Sequence, residues 1–196
     1  MGPIEYLWII LTLLFAVIGV VRGFLKELGV TIVLIATLFG LDRLIPLLEQ
    51  FIREGNLRAI GLPPFTNNSA TDQPTNLLLV VIFQAMVLAA GFMAYQGETL
   101  AYEGHNPKFP IGLLLGALVG GVNGYLITGT LWWILDHYKY PVPATVFQLP
   151  LSPFAANFVK NGWLPIDLLG GGVQTVDSLG LLSVILVVLI ILKVVR

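Results

Sequence analysis

The sequence predicts an all-α, polytopic transmembrane helical protein with about five spans, an amphipathic interfacial helix and a long proline-rich outer segment. Apolar residues form 57% of the 196-residue chain and charged residues only 11%, against about 25% charged residues in soluble proteins. The mean hydropathy is +0.89. The apolar residues are grouped into runs near the length of about 20 residues that a helix needs to cross a bilayer. We therefore expect residues 1–196 to form a single integral membrane domain.

The first two predicted spans cover residues 4–21 and 24–41. A second apolar segment follows the first at once, so we expect the first to be retained rather than cleaved as a signal peptide. The second is the weakest, because its uncharged part covers only residues 28–41. It reaches bilayer length if Lys26 extends to the interface. A hairpin that enters the membrane and returns, with four spans in total, is the alternative.

The other three predicted spans cover residues 77–95, 111–135 and 178–196. The first two of these ranges contain no charged residue, and the second is long enough to cross a bilayer with some tilt. The last is rich in β-branched residues and ends with Lys193 and Arg196, whose long side chains suit the interface.

Two longer outer loops, residues 42–76 and 136–177, separate these spans. In the first loop, residues 46–54 alternate apolar and polar pairs close to the helical period, and Pro46 suits a first helical turn. This pattern predicts an amphipathic helix on the membrane surface. The second loop contains five prolines yet stays apolar, so we expect it to lie on the membrane surface or against a partner.

Four glycines in the fourth span predict a closely packed helix face. Gly112, Gly116, Gly120 and Gly124 lie four residues apart and form one stripe without side chains. In lipid, such a stripe lets a second helix approach closely. We expect another membrane protein or a second copy of this chain as the partner. Asn123 beside the stripe is a candidate for a hydrogen bond between helices.

The distribution of Lys and Arg predicts the orientation in the membrane. Each side carries five of these residues, but they are about three times denser in the short segments that include the 22–27 turn and the C-terminus. We place this side in the cytoplasm and the N-terminus outside, so all four tryptophans fall near the outer interface. Arg22 and Lys26, one turn apart, suit membrane lipids with anionic headgroups or an acidic partner, or simply mark the cytoplasmic side.

The sequence contains no motif that indicates an enzyme. Cysteine is absent, which excludes thiolate metal sites and disulfides. Hydrolase, phosphate-binding and dinucleotide-binding motifs are also absent. No charged residue lies in the middle of a predicted span, which disfavours an ion-coupled transporter. The net charge of −1 gives no basic surface for a nucleic acid.

His137, at the outer end of the fourth span, is the one candidate cofactor ligand. Its imidazole group suits a haem or a chlorophyll-type pigment. A histidine at the interface beside Asp136, without a ligand role, is the alternative. We predict no cofactor and no metal site.

The residues that follow the first span resemble the G-x-x-R-G-F-x-[RK]-E turn of the colicin V production protein family. The matching residues are Gly19, Arg22, Gly23, Phe24, Lys26 and Glu27. The glycine-rich span and the Ser- and Pro-containing segment after it are similar to later parts of that family, so the resemblance covers about residues 4–170. It implies a non-enzymatic protein of the bacterial inner membrane, linked to toxin production or export and to envelope maintenance.

The chain departs from the family pattern in the glycine-rich span. The family usually has an Asp-Arg pair at its start and an Arg before its last glycine, where this chain has Gly112, Leu113 and Asn123. Two other functions are compatible with the sequence. One is an accessory subunit of a large respiratory or photosynthetic membrane complex, which would use the apolar segment 136–178 as its contact surface. The other is a passive channel or transporter.

Overall fold

The computed structural model describes residues 3–56, 61, 69–96, 107–141, 150–170, 184, 185, 187 and 188. Over these residues the chain is helical and has no strand. Its helices are α1 (Ile4–Arg22), α2 (Phe24–Arg53), α3 (Ser69–Gln96), α4 (Ile111–His137), α5 (Pro153–Lys160) and α6 (Pro165–Gly170). The first four are long and apolar enough to cross a membrane. The predicted all-α polytopic fold class is confirmed.

Helix α4 contacts each of the other three long helices, and α1 packs along it in the opposite direction. At one end of the pair, Gly19 of α1 lies against Gly116 and Gly120 of α4. At the other end, the Trp8 ring lies 6.0 Å from the Trp132 ring. The antiparallel direction follows because the numbering rises along one helix as it falls along the other.

The four long helices run alternately up and down. Helix α2 is parallel to α4, because Glu27 contacts Asn123 and Glu49 contacts His137 further along both helices. Helix α3 is antiparallel to both, because Tyr95 near its C-terminus contacts Glu27. We call the end that holds the α1–α2 connection and the C-terminus of α3 the turn end. The opposite end, which α5 and α6 cover, is the cap end.

Helix α2 joins two elements that the sequence predicts as separate. The predicted span 24–41 and the predicted interfacial helix 46–54 form one helix of 30 residues with Pro46 in its interior, so the first-turn position expected for Pro46 is wrong. An interior proline lacks one backbone hydrogen bond. Ile45 and Ile52 on either side of it are almost completely buried, and this packing holds the helix together. The loop predicted at 42–76 is correspondingly shorter, since α3 also starts early, at residue 69.

Helices α5 and α6 lie within the predicted outer segment 136–177 and pack on the cap end of the bundle. Helix α5 begins at Ser152, whose Oγ accepts a hydrogen bond from the Ala155 backbone N–H at 3.2 Å. Its Phe158 ring stacks on Trp132 at 5.8 Å between centroids. The predicted fifth span, 178–196, lies outside the described residues except for four helical positions.

Candidate functional site

The connection between α1 and α2 consists of a single residue, Gly23. Its φ of 88° lies in the region that L side chains rarely adopt, and its N–H donates to the Gly19 carbonyl at 2.9 Å to close the last turn of α1. Because α2 starts immediately at Phe24, Glu27 lies in the first turns of a helix. This connection directs the side chains of Arg22 and Glu27 toward each other.

Arg22 and Glu27 form an ion pair at the turn end. Nη1 of Arg22 lies 3.2 Å from Oε1 of Glu27, and the Glu27 side chain is completely buried while that of Arg22 is 22% exposed. Nη2 of Arg22 donates to the Tyr95 carbonyl at 3.1 Å, and the guanidinium carbon lies 4.5 Å from the centre of the Tyr95 ring. The guanidinium group therefore binds α2 and α3 together and is covered on one face by an aromatic ring.

Two further side chains bind the other carboxylate oxygen of Glu27. The Tyr95 hydroxyl donates to Oε2 at 3.1 Å, and Nδ2 of Asn123 donates to the same oxygen at 2.8 Å and to the Glu27 carbonyl at 3.0 Å. Thr31 completes the set, because its Oγ1 donates to Oδ1 of Asn123 at 2.7 Å. We call Arg22, Glu27, Thr31, Tyr95 and Asn123 the polar network. It takes at least one residue from each of the four long helices.

The polar network is stabilising only while it is complete. A hydrogen bond to a charged group contributes about 1.5–3 kcal/mol. Removal of one partner of a buried ion pair typically costs about 3–5 kcal/mol, because the remaining charge is left in apolar surroundings. Asn123 is completely buried with both its amide hydrogens and its oxygen bonded, so it has no spare polar atom that water must satisfy.

Glu27 lies near the ends of three of the long helices, since it is the fourth residue of α2 and bonds to the last residue of α1 and the last but one of α3. Its partner on α4 lies further from the start of that helix. Asn123 is the thirteenth of the 27 residues of α4, which places it about 18 Å from the start of the helix at about 1.5 Å per residue. Gly23 alone makes the turn that the sequence predicts over residues 22–27, so Glu27 belongs to the first turn of α2. That no charged residue lies in the middle of a span stays a prediction.

The glycine stripe packs against α1 of the same chain. Gly116, Gly120 and Gly124 are so close to α1 that a Cβ at any of them would lie 2.5–2.7 Å from an atom of Phe15 or Gly19. This contact occupies the groove for which the sequence suggested another protein or a second copy. Gly112 differs, because it faces the carbonyl oxygen of Pro107 in the preceding loop.

Residues 19–27 contribute to two contacts of the turn end. Gly19 belongs to the close contact between α1 and α4, and Arg22 and Glu27 belong to the polar network. Phe24 is half-buried, and Lys26 is exposed. The two basic residues that the sequence pairs as a headgroup site thus point to different surroundings.

His137 lies in a second polar cluster, at the cap end. Its Nε2 is 2.8 Å from Oε1 of Glu49, and its ring stacks on Trp133 at 4.6 Å between centroids. A haem or pigment bound through Nε2 would have to displace Glu49. Nε1 of Trp133 donates to Oδ1 of Asp167 at 2.8 Å, which fastens α6 to α4. Burial raises the pKa of Asp167 above its ordinary value, against the effect of this hydrogen bond.

Sequence reasoning did not single out Thr31 as a network residue, nor Tyr95 at all. Thr31 follows Glu27 by four residues, which is the spacing of neighbours on a helix face. That spacing is a signal once α2 is known to begin at Phe24. Tyr95 only marks the end of an apolar run, and no local pattern connects it to Glu27.

Comparisons of this chain with protein-family models, with curated proteins and with solved structures found no match. Among the described residues, no three acidic or histidine side chains are close enough to hold a metal ion. In the polar network, a carboxylate and a guanidinium group hold the long helices together.

Proposed function

We propose that this chain is a non-enzymatic protein of the bacterial cytoplasmic membrane that acts by helix–helix association. Its role is in toxin production or export, or in envelope maintenance, as the resemblance to the colicin V production family implies. One observation carries the proposal. The motif at residues 19–27 and the glycine-rich helix, on which the resemblance depends, meet in one region, where Gly19 packs on Gly116 and Glu27 bonds to Asn123.

The departure from the family pattern at Asn123 fits this proposal. The family usually has an Arg at this position, and the Asn123 amide donates to the Glu27 carboxylate as an arginine would. The positive charge that pairs with Glu27 comes from Arg22. The contact between the motif and the glycine-rich helix is thus made in this chain without a second arginine.

The proposed orientation places the turn end in the cytoplasm and the cap end outside. The denser Lys and Arg of the short segments at the turn end support the choice of side. Clustering of aromatic side chains supports an interfacial position for the cap end, since tryptophan is enriched at both membrane interfaces. Trp8 lies 6.0 Å from Trp132 and 5.1 Å from Phe158, and Trp133 is beside His137 at the end of α4. The C-terminus is then cytoplasmic if residues 178–196 cross the membrane.

The test is complementation in a bacterium that carries this gene. Deletion should lower either the amount of exported peptide toxin or the tolerance of the cells to detergent, and wild-type protein should restore it. Arg22→Gln should not restore it at an equal protein level in the membrane, because it leaves the Glu27 carboxylate buried without its cation. Lys26→Gln is the matched control, because it removes a positive charge from the same motif at an exposed position.

Two outcomes would contradict the proposal. The first is a deletion strain that equals its parent in both toxin export and detergent tolerance. The second is full complementation by Arg22→Gln. If Lys26→Gln also fails to complement, loss of a positive charge from the motif is sufficient to abolish function, and the polar network is not the cause of the defect in Arg22→Gln.

A role as an accessory subunit of a larger membrane complex is the second candidate, and the surface of α5 and α6 favours it. Phe154, Trp163 and Leu168 are each about half exposed and lie outside the four candidate spans. Exposed aromatic residues of this kind are typical of contact surfaces. Purification in a mild detergent, followed by identification of co-eluting proteins, tests this role. Recovery of this chain alone would contradict it.

A further inference from the structure

A cleft of about 170 Å³ lies between α1 and α3, with α4 as its floor. Leu7 and Leu11 of α1 form one wall, and Gln84 and Leu88 of α3 form the other. Leu131 lies on the floor between them. The cleft therefore lies among helices that are each long and apolar enough to cross a membrane.

The cleft exists because the spacing between α1 and α4 changes along their length. At the turn end the glycines of α4 let α1 approach to backbone contact. Beyond Gly124 the residues of α4 that face α1 and the cleft are Thr128, Leu131 and Trp132, which are larger. Large side chains keep helix axes further apart. The gap that opens toward the cap end is not filled by α3.

The walls of the cleft are mainly apolar, and Gln84 and Thr128, which line it, each donate a hydrogen bond to a backbone carbonyl. Nε2 of Gln84 donates to the Leu131 carbonyl at 3.4 Å, and Oγ1 of Thr128 donates to the Gly124 carbonyl at 2.7 Å. Water occupies a cavity only where it finds two to four polar partners. Nε1 of Trp8, which also lines the cleft, is buried without a hydrogen-bond partner. The other lining side chains are mostly leucine and isoleucine, which favours an apolar occupant over water.

The rim of the cleft continues into the outward faces of the two walls. Leu7 is 49% exposed and Leu88 is 55% exposed, and both lie within candidate spans. The cleft thus opens sideways onto the surface that meets the hydrocarbon of the bilayer. A cavity of about 150 Å³ with apolar walls is known to hold one benzene molecule, so this one has room for a segment of one chain and not for a headgroup.

We propose that the cleft binds one acyl chain of a phospholipid from the leaflet at the cap end. The chain enters beside Leu7 and Leu88 and lies on Leu131 and Trp132. This site depends on the membrane location of the four long helices and not on a role in export.

The test uses purified full-length protein in vesicles that contain a phosphatidylcholine with a diazirine on one acyl chain. After illumination, lipid adducts are mapped to residues by mass spectrometry. Trp132 is the reporter, because it lines the cleft but is only 2% exposed, so a chain that stays outside the cleft does not reach it. Leu13 is the reference, because it is 60% exposed on the lipid-facing side of α1 and does not line the cleft.

We expect adducts at both Trp132 and Leu13 in the wild type. Leu88→Phe fills the cleft from α3 and Leu131→Phe fills it from α4, so each should abolish the adduct at Trp132 and keep the one at Leu13. Leu13→Phe, the same change outside the cleft, should leave the Trp132 adduct unchanged. Because Leu88 is more than half exposed, Leu88→Phe tests the site even if Leu131→Phe disturbs the fold. A wild type labelled at Leu13 and not at Trp132, or an unchanged Trp132 adduct in Leu88→Phe, would overturn the proposal.

Discussion

Alanine substitutions at two neighbouring glycines of α4 should have opposite effects on stability. A Cβ at Gly120 would lie 2.5 Å from the carbonyl oxygen of Phe15 and 2.8 Å from Cα of Gly19. Both are backbone atoms, so neither can move away unless α1 moves as a whole. At Gly121 the nearest such atom is Cβ of Ala16, at an ordinary van der Waals distance of 3.6 Å.

The magnitude follows from the distances. To accept Gly120→Ala, α1 must withdraw until the shortest contact lengthens from 2.5 Å to at least 3.4 Å. Overpacking of this kind typically costs about 1–3 kcal/mol. The better helix propensity of alanine returns about 0.5–1 kcal/mol. We expect Gly120→Ala to lower the free energy of unfolding by up to about 2.5 kcal/mol and Gly121→Ala to raise it by about 0.5–1 kcal/mol.

The assay is unfolding in mixed micelles with a rising fraction of SDS, followed by the fluorescence of the four tryptophans. Both variants are single methyl additions one residue apart, so their difference isolates the contact with α1 from the general effect of replacing glycine. Equal free energies of unfolding for the two variants, or a larger loss in Gly121→Ala, would refute the close approach of α1 and α4.

Two further predictions concern the cap end and the orientation. Because burial raises the pKa of Asp167, its ionised carboxylate destabilises the folded protein at neutral pH. Asp167→Asn should therefore raise the midpoint temperature of unfolding at pH 7. The asparagine Oδ1 still accepts the hydrogen bond from Trp133. Thermal unfolding followed by circular dichroism should show that this gain shrinks as the pH falls and vanishes below the ordinary pKa of 3.8. A lower midpoint temperature for Asp167→Asn than for the wild type at pH 7 would contradict this prediction. On intact cells, an impermeant maleimide should label cysteine at Asn68 or Gln174 and not at Gly104, and the reverse pattern would overturn the proposed orientation.

The glycine spacing predicted a packed helix face but not what covers it. A period of four residues identifies one side of a helix, whatever lies opposite. In the folded chain Gly116 and Gly120 meet α1, whereas Gly112, which follows the same period, meets the loop residue Pro107. The neighbour is decided by where each turn of α4 lies in the bundle, and that information is not local.

Three of the five members of the polar network were candidates from the sequence, but their contact with one another was not predicted. Arg22, Glu27 and Asn123 stand out from the sequence because each is polar or charged beside apolar residues. Their meeting depends on the stagger between α2 and α4, which brings together residues 96 positions apart. Likewise, Pro46 locally favours a helix start, and only the burial of Ile45 against other helices explains why α2 continues through it.

A double-mutant cycle on Arg22 and Glu27 tests most directly whether the buried ion pair holds the bundle together. Arg22→Gln alone should lower the free energy of unfolding by about 3–5 kcal/mol, because it leaves a completely buried carboxylate without its cation. Glu27→Gln alone should cost less, because the partly exposed guanidinium group can still reach polar surroundings. The double variant buries no charge, so it should be more stable than Arg22→Gln, with a coupling of about 1–3 kcal/mol between the two positions. Strictly additive losses, with the double variant the least stable of the three, would contradict this account.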